Sequence, residues 1–121
     1  MHIFNFPFKE DIIRNMHENI ADNRGILAAY YAYLDVVKHQ DNKDQCLPGI
    51  KQTPQQLFWV SAANTFCSKD DKKTEDNSKD EHSADNVRIN EAFSNSREFA
   101  RDFKCKPGTK MNPIEKCIVR K

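Results

Sequence analysis

The chain has 121 residues, of which 38% are hydrophobic and 31% are charged, and its 19 basic and 18 acidic side chains leave a net charge of +1. This length allows one domain, or part of one, with a small core. The near-zero charge predicts no bulk attraction to nucleic acid or anionic lipid. No apolar run approaches the roughly 20 residues of a membrane helix, and the aromatic-rich segment Met1–Phe8 is too short for a signal peptide's apolar core.

The first predicted element is a helix over about Met16–Lys38. Apolar side chains recur there at steps of three and four residues, which is the period of one helix face; they are Ile20, Leu27, Tyr30, Leu34 and Val37. Asn15 is the predicted N-cap, and Glu18 is its predicted capping-box partner. Gly25 lowers the helix propensity by about 1 kcal/mol, which allows a break or a close backbone approach.

The second predicted helix begins with a stronger signal. Thr53 is followed by Pro54 at the first helical position, and Gln56 completes a capping box. An apolar face then runs to about Ser68. Trp59 lies off that face, so we expect both sides of this helix to be covered.

A charged segment and a third helix follow. Residues Lys69–Asp85 contain seven acidic side chains, four lysines and one apolar residue, Ala84. Such a segment buries too little surface to offset its ordering entropy, which predicts a long mobile loop. The third helix is predicted over Ser96–Lys104, with Asn95 as N-cap and Glu98 as its partner. No segment alternates well enough to predict a strand.

Four cysteines, Cys46, Cys67, Cys105 and Cys117, leave two alternatives open. Their spacing fits no zinc ribbon, zinc finger or Cys-x-x-Cys redox motif. An even number of cysteines in a short chain permits disulfides, with three possible pairings. The other interpretation is that they are buried, inert thiols.

Three blocks of sequence are informative when they are taken together. The blocks are Glu18-Asn19-Ile20-Ala21-Asp22-Asn23 followed by Gly25; Leu47-Pro48-Gly49 with Gln55-Gln56-Leu57-Phe58 and Cys67; and Phe103-Lys104-Cys105 with Met111-Asn112-Pro113 and Lys116-Cys117. In order and spacing they resemble the C-terminal region of the neprilysin-family zinc metalloendopeptidases. The resemblance implies a mainly α fold, the C-terminal helical part of a zincin-type catalytic domain. It assigns residues 17–121 to that partial domain and leaves residues 1–16 as a divergent N-terminal segment.

The resemblance implies a zinc site to which this chain contributes one ligand. Catalytic zinc takes three protein ligands and a water. In the family, a His-Glu-x-x-His helix supplies two histidines and the general base, and the third ligand maps to Glu18. Asp22 maps to the aspartate expected to hydrogen-bond a zinc-bound histidine. Their four-residue spacing places both carboxylates on one helix face. The alternative is two exposed acids near a helix N-terminus, where the helix dipole favours them.

Two further residues correspond to functional positions of the family. His82 and Arg88 have the six-residue spacing of a histidine that stabilises the oxyanion and an arginine that hydrogen-bonds a substrate carbonyl. The alternative is an exposed loop histidine and a surface arginine. The sequence departs from the family pattern here, because Ala84 replaces a proline and the preceding segment is charged rather than apolar.

The chain also lacks part of what the family requires. Its histidines are His2, His17, His39 and His82, and no His-Glu-x-x-His is present. One carboxylate does not retain zinc specifically, so we expect the chain alone neither to hold zinc nor to cleave peptides. Whether it is an enzyme is therefore left open between a partial metalloendopeptidase and a non-catalytic relic or interaction protein. The resemblance implies that Cys67, Cys105 and Cys117 pair with cysteines upstream.

The remaining expectations concern the substrate, the location and the exposed apolar surface of the protein. The resemblance implies a peptide substrate for the complete enzyme and an extracellular or cell-surface location. Substrate preference and oligomeric state are not determined by the sequence. Apolar surface around Leu57, Phe58 and Phe99 is expected to be exposed and to favour self-association.

Overall fold

The computed structural model describes residues 15–39, 47–67 and 82–117. They form four helices, which are α1 (Met16–Lys38), α2 (Pro54–Asn64), α3 (Asp85–Asn95) and α4 (Arg97–Asp102). Within these ranges there is no strand, only an isolated bridge between Thr109 and Asn112. The prediction of a mainly α fold is confirmed. None of the four helices combines the length and the apolar character needed to span a bilayer.

Helix α1 has the predicted bounds, but the predicted cap at its start is wrong. The Asn15 side chain makes no capping hydrogen bond. Its φ of −91° and ψ of 2° differ from the extended backbone that a capping side chain needs. Asn15 is buried, and its Nδ2 donates instead to Ser83 Oγ at 3.3 Å. A partner 68 residues away has therefore replaced the local one.

The capping box of α2 is confirmed in full. Thr53 Oγ1 accepts from the Gln56 backbone N–H at 3.2 Å, and Gln56 Oε1 accepts from the Thr53 backbone N–H at 3.1 Å. Pro54 occupies the first helical position. The helix ends at Asn64, earlier than predicted. The next two backbone N–H groups, those of Thr65 and Phe66, donate to carbonyls three residues back, at Ala62 and Ala63, instead of four.

We expect Thr53→Ala to lower the free energy of unfolding by about 1 kcal/mol, because it removes the side-chain oxygen that accepts from the Gln56 backbone N–H, while the bond from the backbone N–H of residue 53 to Gln56 can remain. Urea denaturation of the full chain measures the change. Ser61→Ala, at an exposed position inside the same helix, is the matched control and should stay within about 0.5 kcal/mol. Equal losses in the two variants would contradict a role for the cap.

Helix α3 was not predicted. The mobile loop predicted from the sequence reaches Asp85, which is the first residue of α3. Residues 69–81 of that loop lie outside the described ranges. Ile89, Ala92 and Phe93 follow the helical period, and Ala92 and Phe93 are buried. The mostly polar residues between them obscure this short face. Helix α3 matters for function because it carries Arg88.

Helix α4 begins one residue later than predicted. Ser96, not Asn95, is its N-cap, and Ser96 Oγ accepts from the Phe99 backbone N–H at 3.0 Å. The Asn95 side chain is used elsewhere, since its Nδ2 donates to Asn23 Oδ1 and to the Cys117 carbonyl. The helix also ends two residues early, at Asp102.

The core is an aromatic cluster to which all four helices contribute, α4 through Phe99. Tyr30 of α1 stacks on Trp59 of α2 at a centroid distance of 4.9 Å, and Trp59 meets Phe93 of α3 edge-to-face at 5.2 Å. Trp59 is almost completely buried. Trp59 lies off the predicted apolar face of α2. It is buried nevertheless, because α1, α3 and α4 cover the tryptophan side of this helix.

The exposed apolar surface is not where it was expected. Phe58 and Phe99 are partly buried against the core, and Leu57 is also only partly exposed. The large apolar side chains that are exposed are Met16, Ile20, Tyr31, Val36, Leu47, Ile50, Val60, Val87 and Ile114. Four of them, Met16, Ile20, Tyr31 and Val36, belong to α1. Self-association through such surface stays a prediction.

Three cysteines can be placed. Cys67 and Cys117 are exposed and Cys105 is partly buried, and no disulfide joins any two of these three. All three are free thiols, and the interpretation as buried, inert thiols does not describe the exposed Cys67 and Cys117. Cys46 lies outside the described residues.

Candidate functional site

Glu18 and Asp22 lie one turn apart on α1, on the side that faces α3 and the residues before it. The Glu18 side chain is 35% exposed and that of Asp22 is 11% exposed. Such burial is unusual for acidic side chains unless they are paired. The alternative of two solvent-facing acids at a helix N-terminus does not describe Asp22.

Glu18 is paired with His82. Nε2 of His82 lies 3.1 Å from Oε2 of Glu18, and the His82 side chain is 44% exposed. The neighbouring residue fixes this approach: Ser83 Oγ donates to Asn19 Oδ1 at 3.1 Å and accepts from Asn15 Nδ2. Because Ser83 is attached to the first turns of α1, His82 is held against the same turn.

Asp22 is paired with Arg88 by two parallel hydrogen bonds. Arg88 Nε donates to Asp22 Oδ2 at 2.6 Å and Arg88 Nη2 donates to Asp22 Oδ1 at 2.7 Å. The hydrogen bonds to Asp22 raise the pKa of Arg88, burial opposes the rise, and the charges of Asp85 and Glu18 add to it. Arginine is charged in proteins in any case; the shift reflects the three acids near the guanidinium, Asp22, Asp85 and Glu18.

Phe66 completes the surroundings of Arg88. The Arg88 Cζ atom lies 4.9 Å from the centroid of the Phe66 ring, within the range of a cation–π contact. Phe66 follows the end of α2, so this contact joins α2 to the ion pair between α1 and α3. Sequence reasoning assigned Phe66 only to an apolar helix face.

A row of asparagines, which starts just before α1, makes hydrogen bonds on both sides of the two pairs. Asn15, Asn19 and Asn23 are spaced four residues apart and therefore lie on one face of α1. Asn15 and Asn19 bind Ser83, and Asn23 Oδ1 accepts from Asn95 Nδ2 at 2.9 Å. The repeat is visible in the sequence, but its partners are more than 60 residues away. Its function could not be predicted from local patterns.

All four residues predicted to be functional thus meet in one place. The structure forms two adjacent pairs, Glu18 with His82 and Asp22 with Arg88. The chemical roles given to them stay predictions. An exposed loop histidine remains a fair description of His82, whereas Arg88, at 18% side-chain exposure, is not a surface arginine.

The capacity of this site to bind zinc depends on the donor side chains around Glu18. In residues 15–39, 47–67 and 82–117, no group of three or more His, Cys, Asp or Glu side chains is arranged to hold a metal. Glu18 has one possible co-ligand, His82, beside it. Catalytic zinc requires three protein ligands, so the part of the chain that the structure describes does not by itself fit a zinc site.

The sequence matches the family model described as Peptidase family M13 over residues 9–119. It is 44% identical to Neprilysin-3 of Drosophila melanogaster over 108 residues, which cover 88% of this chain and 14% of the relative. It is 40% identical to Neprilysin-2 of the same organism over 110 residues, again 88% of this chain and 14% of the relative.

A vertebrate relative gives a similar result. Endothelin-converting enzyme 1 of Bos taurus is 43% identical over 107 residues, covering 84% of this chain and 14% of the relative. The chain therefore spans about one seventh of the length of these relatives.

Proposed function

The chain belongs to peptidase family M13, and from that membership we propose that it is the C-terminal part of a zinc metalloendopeptidase catalytic domain, active only when the rest of the domain is present. The observation that carries the proposal is the convergence of two acids on α1 with a histidine and an arginine more than 60 residues later. The proposal assigns residues 17–121 to this partial domain and treats residues 1–16 as divergent.

In this proposal, Glu18 is the one zinc ligand supplied by the chain. Its partial exposure leaves the carboxylate accessible to groups from outside the chain. Asp22 is proposed to orient a histidine ligand supplied from elsewhere in the domain. A carboxylate can accept about four hydrogen bonds, so its two bonds from Arg88 leave acceptor capacity for that histidine. The remaining zinc ligands are proposed to come from elsewhere in the complete domain.

His82 and Arg88 are proposed to act on the substrate. His82 is close enough to Glu18 to donate to an oxygen beside the metal position, where negative charge develops during attack on a peptide carbonyl. Arg88 uses two of its five N–H donors on Asp22, and the remaining donors suit a substrate carbonyl oxygen. The substrate is proposed to be a peptide, and the location extracellular or at the cell surface, as for the neprilysin family.

A second candidate function is a non-catalytic relic or interaction protein. The exposed apolar side chains of α1, among them Ile20 and Val36, would then serve contacts with other proteins.

A chimera tests the first proposal against the second. Residues 17–117 would replace the matching segment of Drosophila Neprilysin-3, and hydrolysis of a fluorogenic peptide would be measured with and without a zinc chelator. We expect chelator-sensitive cleavage by the chimera and none by the isolated chain. A chimera that folds, as judged by circular dichroism, but shows no cleavage would support the relic. Chelator-sensitive cleavage by the isolated chain would contradict both.

A further inference from the structure

Arg88 is held by two different kinds of contact. Asp22 accepts two hydrogen bonds from the Nε and Nη2 edge of the guanidinium, at 2.6 and 2.7 Å. The Phe66 ring lies beside the guanidinium, with 4.9 Å between Arg88 Cζ and the ring centroid. Phe66 is partly buried, and it lies two residues after the last residue of α2.

The two contacts restrict different motions. A bidentate ion pair fixes where the guanidinium edge lies, but its two contact points, at Nε and Nη2, define only one line. The guanidinium plane can still swing about that line as about a hinge. An aromatic ring packed beside the cation opposes this swing, because tilting moves the charge away from the ring. Asp22 alone therefore positions Arg88, whereas Asp22 and Phe66 together also orient it.

The orientation determines where the other hydrogen-bond donors point. Nη1 carries two N–H groups and Nη2 carries one more beyond its bond to Asp22. These donors lie in the guanidinium plane, so a change in tilt moves them relative to any bound acceptor. A displacement of about 1 Å at such a group is enough to reduce catalysis strongly.

We propose that Phe66 is a positioning residue: it fixes the tilt of Arg88 so that the Nη1 edge presents its donors to a backbone carbonyl of a bound peptide. The inference rests on the proposed function for its ligand, a peptide carbonyl. The orienting contact itself is a property of this chain and can be measured on the chain alone.

The first experiment measures the motion of Arg88 in the isotopically labelled full chain by NMR, through the order parameter and solvent exchange of its Nε–H group. We expect Phe66→Leu to increase the exchange rate by roughly 3-fold or more and to lower the order parameter. Phe66→Tyr, which keeps the ring, should behave as the parent chain. Phe103→Leu removes a partly buried ring from the core, away from Arg88, and controls for loss of packing.

The second experiment uses the active chimera. Phe66→Leu is expected to lower kcat/KM by roughly 10-fold for a peptide whose backbone carbonyl binds Arg88. Phe66→Tyr should restore kcat/KM, and Phe103→Leu should cause no comparable loss. Unchanged Arg88 motion in Phe66→Leu, or unchanged kcat/KM in an active chimera, would overturn the inference. An inactive chimera in which Phe66→Leu still loosens Arg88 would refute the proposed function while supporting the orienting contact.

Discussion

Replacing Glu18 with glutamine in the chimera is expected to lower zinc affinity by at least about 100-fold and to reduce peptide hydrolysis to near background. Groups that only orient a metal ligand contribute about 10–100-fold to affinity, so loss of a charged ligand should cost more. Glutamine keeps the size and shape of the side chain but removes its negative charge. The fold should therefore be retained while the metal site fails.

Zinc content by mass spectrometry and hydrolysis of a fluorogenic peptide provide the two measurements. Asp35→Asn is the matched control, because Asp35 is an exposed acid on the same helix α1. It makes the same change from carboxylate to amide and should leave both quantities unchanged. Equal zinc content and turnover in Glu18→Gln and Asp35→Asn would remove Glu18 from the metal site.

The parts of the fold that depend on neighbouring residues were predictable. The capping box of Thr53 and Gln56 is complete within four residues, and the structure contains both of its hydrogen bonds. The placement of Glu18 and Asp22 on one helix face also follows from a four-residue spacing. In these cases the partners lie within one or two helical turns, where sequence patterns carry most of the information.

The errors have a common physical cause, which is a distant partner that replaces a local one. Asn15 was expected to cap α1, but its side chain bonds Ser83. Asn95 was expected to cap α4, but it bonds Asn23, and Ser96 takes the capping position. Asparagine suits both roles equally well. Only the approach of α1 and α3 decides between them.

The candidate site shows the same difference between local patterns, which could be predicted, and distant contacts, which could not. The resemblance identified Glu18, Asp22, His82 and Arg88, and helix periodicity supported the first two. The structure adds the pairing of each acid with its basic partner. The position of Phe66 beside Arg88 had no sequence signal, because a half-buried aromatic residue near a helix end fits a core as well as a cation–π contact.

Asp102→Ala is expected to destabilise the chain by about 3–5 kcal/mol, because it removes two hydrogen bonds from buried side chains to a buried carboxylate. This is a large share of the stability of a small domain. The Asp102 side chain is 7% exposed. Its Oδ2 accepts from the Tyr30 hydroxyl at 2.6 Å and from Trp59 Nε1 at 2.9 Å. Its Oδ1 accepts from Arg101 Nε at 3.0 Å. Burial, together with the hydrogen bond to Asp102, raises the pKa of Tyr30, as expected for a phenol beside a buried carboxylate.

The carboxylate therefore joins the two largest core side chains, one from α1 and one from α2, to the end of α4. Alanine would leave the Trp59 N–H buried without this acceptor, and the cost of such a group adds to the lost bonds. Asp102→Asn retains one acceptor oxygen, so we expect a smaller loss of about 1–3 kcal/mol. The order of the two variants separates loss of hydrogen bonding from loss of charge.

Fluorescence of Trp59, the single tryptophan of the chain, measures unfolding at the network itself during urea titration. Asp35→Ala, at an exposed position, should stay within about 0.5 kcal/mol of the parent chain. If Asp102→Ala resembled this control, the three hydrogen bonds would contribute little and aromatic packing alone would hold the helices together. A loss in the order alanine, then asparagine, then the Asp35 control would show that a buried carboxylate fixes how α1, α2 and α4 meet. Asp22 then meets Arg88 of α3, and Glu18 meets His82 just before α3.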